Sequence, residues 1–339
     1  MLVGILGPPK GMSEGRVLVT PRQAGLLDHG GVRVIVESGV GRAAGFEDAD
    51  YAAEGASITA SREQLLGESD LVLSVARPEP AECAVVRAGS TLMGMFHVNE
   101  DAPFVEAAVA RGANVVGLER AQTDDGHHPF RERMAEVAGV VCAQLAAELL
   151  LRHRGVLLGG VAGVPPVDVV VVGAGHLGRA ATRAFSGAGA TVLVFDRSLS
   201  ALEAVEREGL RRVQTMLAGP SEIADAAAWA DVLIGAVRLP DGPPPKVLSA
   251  MQGHHGAVWL DLSVDEGGCI QESRPVYRAE DAYVIEGVLC CPVPNLASWA
   301  ARTASRIGSA LLAPVLLAAA ERGRFQLSAE PWLVRGALS

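Results

Sequence analysis

The sequence predicts an α/β protein of two Rossmann-like parallel-sheet domains, the second inserted into a discontinuous first. Three observations carry that prediction. Residues 1–120 alternate short, continuously apolar runs with amphipathic segments, the pattern of strands buried on both faces beneath covering helices. A second series of the same kind begins only near residue 168, with a glycine-rich turn directly after its first strand. Once that series ends, residues 298–322 read as one long helix that the second sheet does not need.

In the first series, strands are expected at 2–6 (LVGIL), 32–36, 70–75, 91–96 and 114–118, with helices near 21–29, 47–54, 79–87 and 102–111. Residues 131–153 then carry apolar positions at helical spacing for more than five turns. The segment GVLLGGVAGVPP after it is a hairpin or loop, because glycine and proline punctuate it throughout. The second series has strands near 168–173, 190–195, 211–215, 231–237, 257–262 and 283–286. Helix 298–322 is expected to return to the first domain. The domains are therefore 1–130 with 299–339, and 131–298 between them.

Composition narrows the function. The 339 residues are 49% hydrophobic but only 4% aromatic, so the core is built from Val, Leu, Ile and Ala. A net charge of −10 argues against nucleic acid or an anionic membrane as partner. The opening MLVGILGPPK has no basic region ahead of an apolar stretch, so no signal peptide is expected and the reading is cytoplasmic. Of two apolar stretches, 157–175 is broken by Pro165, Pro166 and Asp168, and 307–320 falls short of the roughly 20 residues a bilayer needs, so no membrane span is expected. The five cysteines show no C-x-x-C spacing and adjacent Cys290 and Cys291 cannot chelate one zinc, so no metal site is expected. Only two lysines, Lys10 and Lys246, stand against 27 arginines, which leaves a Schiff-base mechanism two candidates.

The glycine turn is the first candidate site. Gly173, Gly175 and Gly178 form G-A-G-H-L-G, with His176 and Leu177 opening a helix expected over 176–186. The first glycine permits the tight turn, the second lets the backbone approach a pyrophosphate, and the third lets helix pack on strand. Asp196 closes the next strand about 20 residues on, where a carboxylate accepts from a ribose 2′-OH, which favours NAD over NADP beside Arg197. The alternative is a glycine turn in a sheet that binds no nucleotide.

Over nearly its whole length the chain resembles the family of alanine dehydrogenases and the N-terminal part of nicotinamide nucleotide transhydrogenase. The motifs are SEGRVLVTP (13–21), MAEVAG (134–139), RGVLLGGVAGVPP (154–166), ADVLIGAV (230–237), DLSVDEGGC (261–269), SRP (273–275) and VPN (293–295), all in order. The resemblance implies a discontinuous two-domain architecture and a homo-oligomer. It implies that Arg16 holds a substrate carboxylate, a task suited to a guanidinium fork; the alternative is a structural ion pair with Glu14. It implies that His97 is the acid/base group and that Asp265 stands between nicotinamide and substrate, orienting water or ammonia. His176, Leu177, Ala236, Val237 and Asn295 join the cofactor site by the same resemblance, while Asp261 reads as structural.

Three departures stand out. The position of the family's lysine is Ala76, and alanine cannot polarise a substrate oxygen. Arg77 is the neighbouring candidate for substrate binding, although Pro78 confines its backbone to an extended form. Lys10 lies before the Arg16 motif and Lys246 is expected at a helix start after DGPPP, so neither replaces the lost lysine. Ala135 replaces a serine near the cofactor, and the chain stops soon after helix 298–322, short of the family's longer tail. The expected function is hydride transfer between NAD and the CH–NH2 carbon of an amino acid, or the matching 2-oxo or imino acid, with alanine and pyruvate as poor substrates. Two alternatives are an NAD-retaining lyase or cyclodeaminase with internal redox, and a non-catalytic nucleotide-binding regulator.

Overall fold

The structure, a computed structural model, describes residues 1–12, 14–98, 102–239 and 242–338. Ser13, which opens the 13–21 motif, lies outside the described residues. The chain divides into two compact units, Met1–Met134 with Ser298–Ser339, and Ala135–Ala297.

In the first unit, six parallel strands, β1 (Leu2–Leu6), β2 (Arg33–Glu37), β3 (Ser57–Thr59), β4 (Leu71–Ser74), β5 (Thr91–Gly94) and β6 (Asn114–Gly117), lie in the order β3-β2-β1-β4-β5-β6. β1, β4 and β5 are buried along their whole length, which is why they read as unbroken apolar runs. The order reverses at the β1/β4 step, so the loops leaving those strands open a crevice at their carboxyl ends. Helix Ala301–Glu321 packs within this unit: Ser305 Oγ accepts from the Val17 amide at 2.9 Å and Ser309 Oγ accepts from the Thr20 amide at 3.2 Å. Trp332 stacks on Phe130, and the Leu338 amide donates to the Val115 carbonyl at 2.9 Å.

The second unit holds β7 (Asp168–Val172), β8 (Thr191–Asp196), β9 (Val213–Leu217), β10 (Val232–Gly235), β11 (Val258–Asp261), β12 (Tyr283–Ile285) and β13 (Val288–Cys290) in the order β12-β13-β11-β10-β7-β8-β9. All pairs are parallel except β12 with β13. Trp259, Phe185 and Phe195 are wholly buried in its core. Gly139 shows how closely helix Pro129–Arg154 crosses helix His176–Gly187: a Cβ there would lie 2.5 Å from the Leu177 carbonyl oxygen.

Several expectations are corrected. The sheet has seven strands, not six, because Glu286 and Gly287, both at positive φ, turn the chain into an antiparallel edge hairpin. The expected helix at 79–87 is a 3-10 segment, Pro80–Val85, and strand β3 and helix Arg62–Glu68 were not expected at all. Lys246 does not start a helix; it sits in irregular chain. The apolar run 307–320 belongs to a longer helical stretch, Leu296–Glu321, which, like Pro129–Arg154, is long and apolar enough by composition to cross a membrane. Of the two apolar windows, 44% and 56% respectively is buried inside the protein.

Candidate active site

At the carboxyl end of β7, β8 and β10 lies a cleft of about 520 Å³. Gly173, Gly175, Asp196, Arg197, Ala236 and Val237, each expected at the cofactor, all line it. The three glycines differ in what they make possible. Gly173 has φ of 112°, and a Cβ there would sit 2.3 Å from the Ala236 carbonyl oxygen. A Cβ on Gly178 would lie 1.8 Å from the Gly173 carbonyl oxygen, so no other residue fits beneath the helix. A Cβ on Gly175 would meet nothing within 4 Å. Gly175 therefore keeps space clear at the N-terminus of helix His176–Gly187, where open amides and the helix dipole favour an anion.

Asp196 ends β8 with one oxygen on each neighbouring loop. Oδ2 accepts from the Ala174 amide at 2.6 Å and Oδ1 from the Ser198 amide at 2.8 Å. The carboxylate thus braces the glycine turn and keeps lone pairs for a ribose hydroxyl. Open space at Gly175, an anion-favouring helix start and a carboxylate beside them fit a dinucleotide. His176, Leu177, Gly178 and Asn295 do not line the cleft itself: the first three form and support the helix start, and Asn295 lies elsewhere in the unit.

The turn after β11 carries Asp265. Asp261, wholly buried, holds this turn from inside by accepting from the Ser263 and Ile270 amides and from Ser273 Oγ at 3.0, 2.9 and 2.6 Å, so it is structural as expected. Asp265 is exposed, and its Oδ2 accepts from the amide of Asn295, whose φ is 49°. Two cleft residues that sequence reasoning missed reach the same turn. Lys246 Nζ donates to the Gly267 and Ile270 carbonyls at 2.6 and 2.9 Å, and Arg238 Nε donates to Glu266 at 2.8 Å.

In the first unit, Arg16 is 6% exposed and bound to Glu14 by two side-chain bonds, Nε to Oε1 at 2.9 Å and Nη2 to Oε2 at 2.6 Å. The pair with Glu14 is thus formed, as a buried guanidinium needs a partner, and it takes two of the five guanidinium donors, so it does not exclude a substrate carboxylate on the others. His97 follows β5 with its imidazole exposed and its φ at 50°, held there by its amide donating to Oε1 of the buried Glu119 at 2.9 Å. Ala76 is buried just beyond β4, its carbonyl accepting from Ser74 Oγ at 2.6 Å. Arg77 is exposed and lines a smaller hollow of about 360 Å³ with Met12, Val98 and Phe104.

Comparison with known proteins covers both units. Sequence models of the alanine dehydrogenase/PNT N-terminal and C-terminal domains match residues 10–138 and 140–339. An alanine dehydrogenase of Mycolicibacterium smegmatis is 36% identical over 329 residues, which is 95% of this chain and 88% of that one. A solved L-alanine dehydrogenase superposes with a TM-score of 0.91 at 30% identity, covering 99% of this chain and 94% of the other. A transhydrogenase from Sinorhizobium meliloti, at 24% identity and a TM-score of 0.80 over 95% of each chain, shares the fold.

Proposed function

From the premise that this chain belongs to the alanine dehydrogenase/PNT family, both of whose domains it carries, we propose that it is an NAD-dependent oxidoreductase. It acts on the CH–NH2 carbon of an amino acid, or on the matching 2-oxo or imino acid. The observation that carries the reading is Asp196: a carboxylate at the end of β8, braced against the glycine turn, in a cleft whose Gly175 leaves room for phosphates.

NAD, when bound, supplies or accepts the hydride. Asp196 selects a free ribose 2′-OH, since a carboxylate repels a 2′-phosphate. On the substrate side, Arg16 orients the carboxylate, with Glu14 fixing the plane of its guanidinium. His97 holds or releases the proton of the substrate oxygen, and Asp265 orients water or ammonia. Ala76 brings no charge to that oxygen. Losing one preorganised charge costs roughly 3 kcal/mol, or about a hundredfold in rate, so pyruvate and alanine are poor substrates. A substrate that carries its own positive charge, such as a preformed iminium, needs no lysine. Self-association, which the family resemblance implies, is supported by Leu157, Val161 and Val164 standing exposed before β7, and light scattering after gel filtration tests it.

The test is NADH consumption by purified protein with ammonium and a panel of 2-oxo acids and cyclic imines. Turnover of a larger acid or an imine, with weak turnover of pyruvate, is expected. Strong turnover of pyruvate would remove the argument from Ala76. Substrate loss with no change in NADH would establish the internal-redox alternative instead.

A further inference from the structure

Lys246 is one of only two lysines in the chain, and it stands in the wall of the nucleotide cleft. Its ammonium does not simply face the cleft. It is bonded to two carbonyls of the turn that carries Asp265, those of Gly267 and Ile270. This turn is a 3-10 segment, Val264–Glu266, followed by Gly267 at φ 106° and Gly268 at φ 77°, a left-handed course that glycine takes without strain. Three backbone bonds close it from within, from the Glu266 and Gly268 amides to the Ser263 carbonyl and from the Gly267 amide to the Val264 carbonyl, and ties from outside set where the closed turn stands. Asp261 supplies the tie from the core side. Elsewhere the ties are the Asn295 amide on the Asp265 carboxylate, the Val247 amide on the Cys269 carbonyl, Lys246 on the Gly267 and Ile270 carbonyls, and Arg238 on the Glu266 carboxylate.

We propose that Lys246 is a positioning residue, whose ammonium fastens the Asp265 turn to the cofactor-cleft wall and thereby fixes the Asp265 carboxylate for its role. The inference rests on the reading of Asp265 given above. The chemistry suits lysine, because three donors on a compact head can satisfy two carbonyls at once, and an arginine fork can span them as well. A neutral methionine of similar length loses both carbonyl bonds and loosens the turn at Gly267, while the Val247–Cys269 backbone bond stays.

The experiment uses the full-length protein as wild type, Lys246→Met, Lys246→Arg, Asp265→Asn and the double variant Lys246→Met/Asp265→Asn. Hydrogen exchange of the peptide spanning 263–270 is read first, with NADH affinity by fluorescence and kcat on the best substrate beside it. Lys246→Met is expected to exchange faster across 263–270 alone and to lose tenfold or more in kcat. Its NADH dissociation constant should stay within about threefold, and Lys246→Arg should restore most of kcat. In the Asp265→Asn background the same change should cost little more, because residues acting as one unit are not additive. Unchanged exchange, or a full additive loss in the double variant, overturns the proposal. So does a loss of NADH affinity as large as the loss in kcat, which would make Lys246 a cofactor contact. A protein inactive on every substrate, yet with faster exchange in Lys246→Met, overturns the proposed activity and leaves the fastening intact.

Discussion

Asp196 and Ala174 stand 22 residues apart in sequence and 2.6 Å apart in space, the Ala174 amide donating to Asp196 Oδ2. Through this bond the group we propose as the ribose reader also braces the glycine turn. Asp196→Ala is expected to weaken NADH binding by about tenfold or more, the worth of a charged hydrogen bond at roughly 1.5–3 kcal/mol. NADH fluorescence titration measures it; an unchanged dissociation constant would remove Asp196 from the site.

Two glycines three residues apart, Gly175 and Gly178, make opposite predictions. Gly178→Ala drives a Cβ to 1.8 Å from the Gly173 carbonyl, so overpacking of about 1–3 kcal/mol should lower the melting temperature. Gly175→Ala meets no protein atom, so the melting temperature should hold while NADH affinity falls. Thermal melts of both variants with and without NADH separate the two cases.

Ala76, which we propose stands in place of a family lysine, is buried. Ala76→Lys is expected to raise kcat with pyruvate and ammonium by roughly a hundredfold, the worth of one preorganised charge at about 3 kcal/mol. Steady-state rates on pyruvate decide it, and no gain would mean that the lost lysine is not what limits this reaction.

Asp168 opens β7 with its pKa raised above 3.8, first by burial and then by the charge of Asp231, whose carboxylate also pairs with Arg154. A carboxyl raised on folding contributes stability while it is protonated and loses it as the pH climbs through the raised value. Asp168→Asn should therefore melt higher than wild type at pH 7, and the gain should disappear near pH 3. Melting curves across that range check the sign; a gain that grows toward acid would contradict it.

Much of this was legible in the sequence because the backbone itself demanded certain residues. Gly173, Gly175 and Gly178 announce themselves, since two of them occupy places no side chain can enter. The buried strands β1, β4 and β7 read clearly as apolar runs. The edge hairpin did not, because Glu286-Gly287 is not the usual asparagine- or aspartate-glycine turn signal. Lys246 was misplaced because prolines before a polar residue resemble a helix start, whereas its partners lie 21 and 24 residues further along. The pairing of Arg16 with Glu14 was visible as a possibility, but spacing alone could not decide it.

The bond from the Leu338 amide to Val115 also orders events in time. Residues 135–297 are made as one uninterrupted stretch, so every strand of the second sheet has left the ribosome before the chain returns to the first unit. The first sheet, made earlier, still lacks helix Ala301–Glu321 and the segment that closes on β6. The half of the protein that is synthesised first is therefore the half that finishes folding last, and its unfinished apolar surface is what a chaperone would meet on the nascent chain.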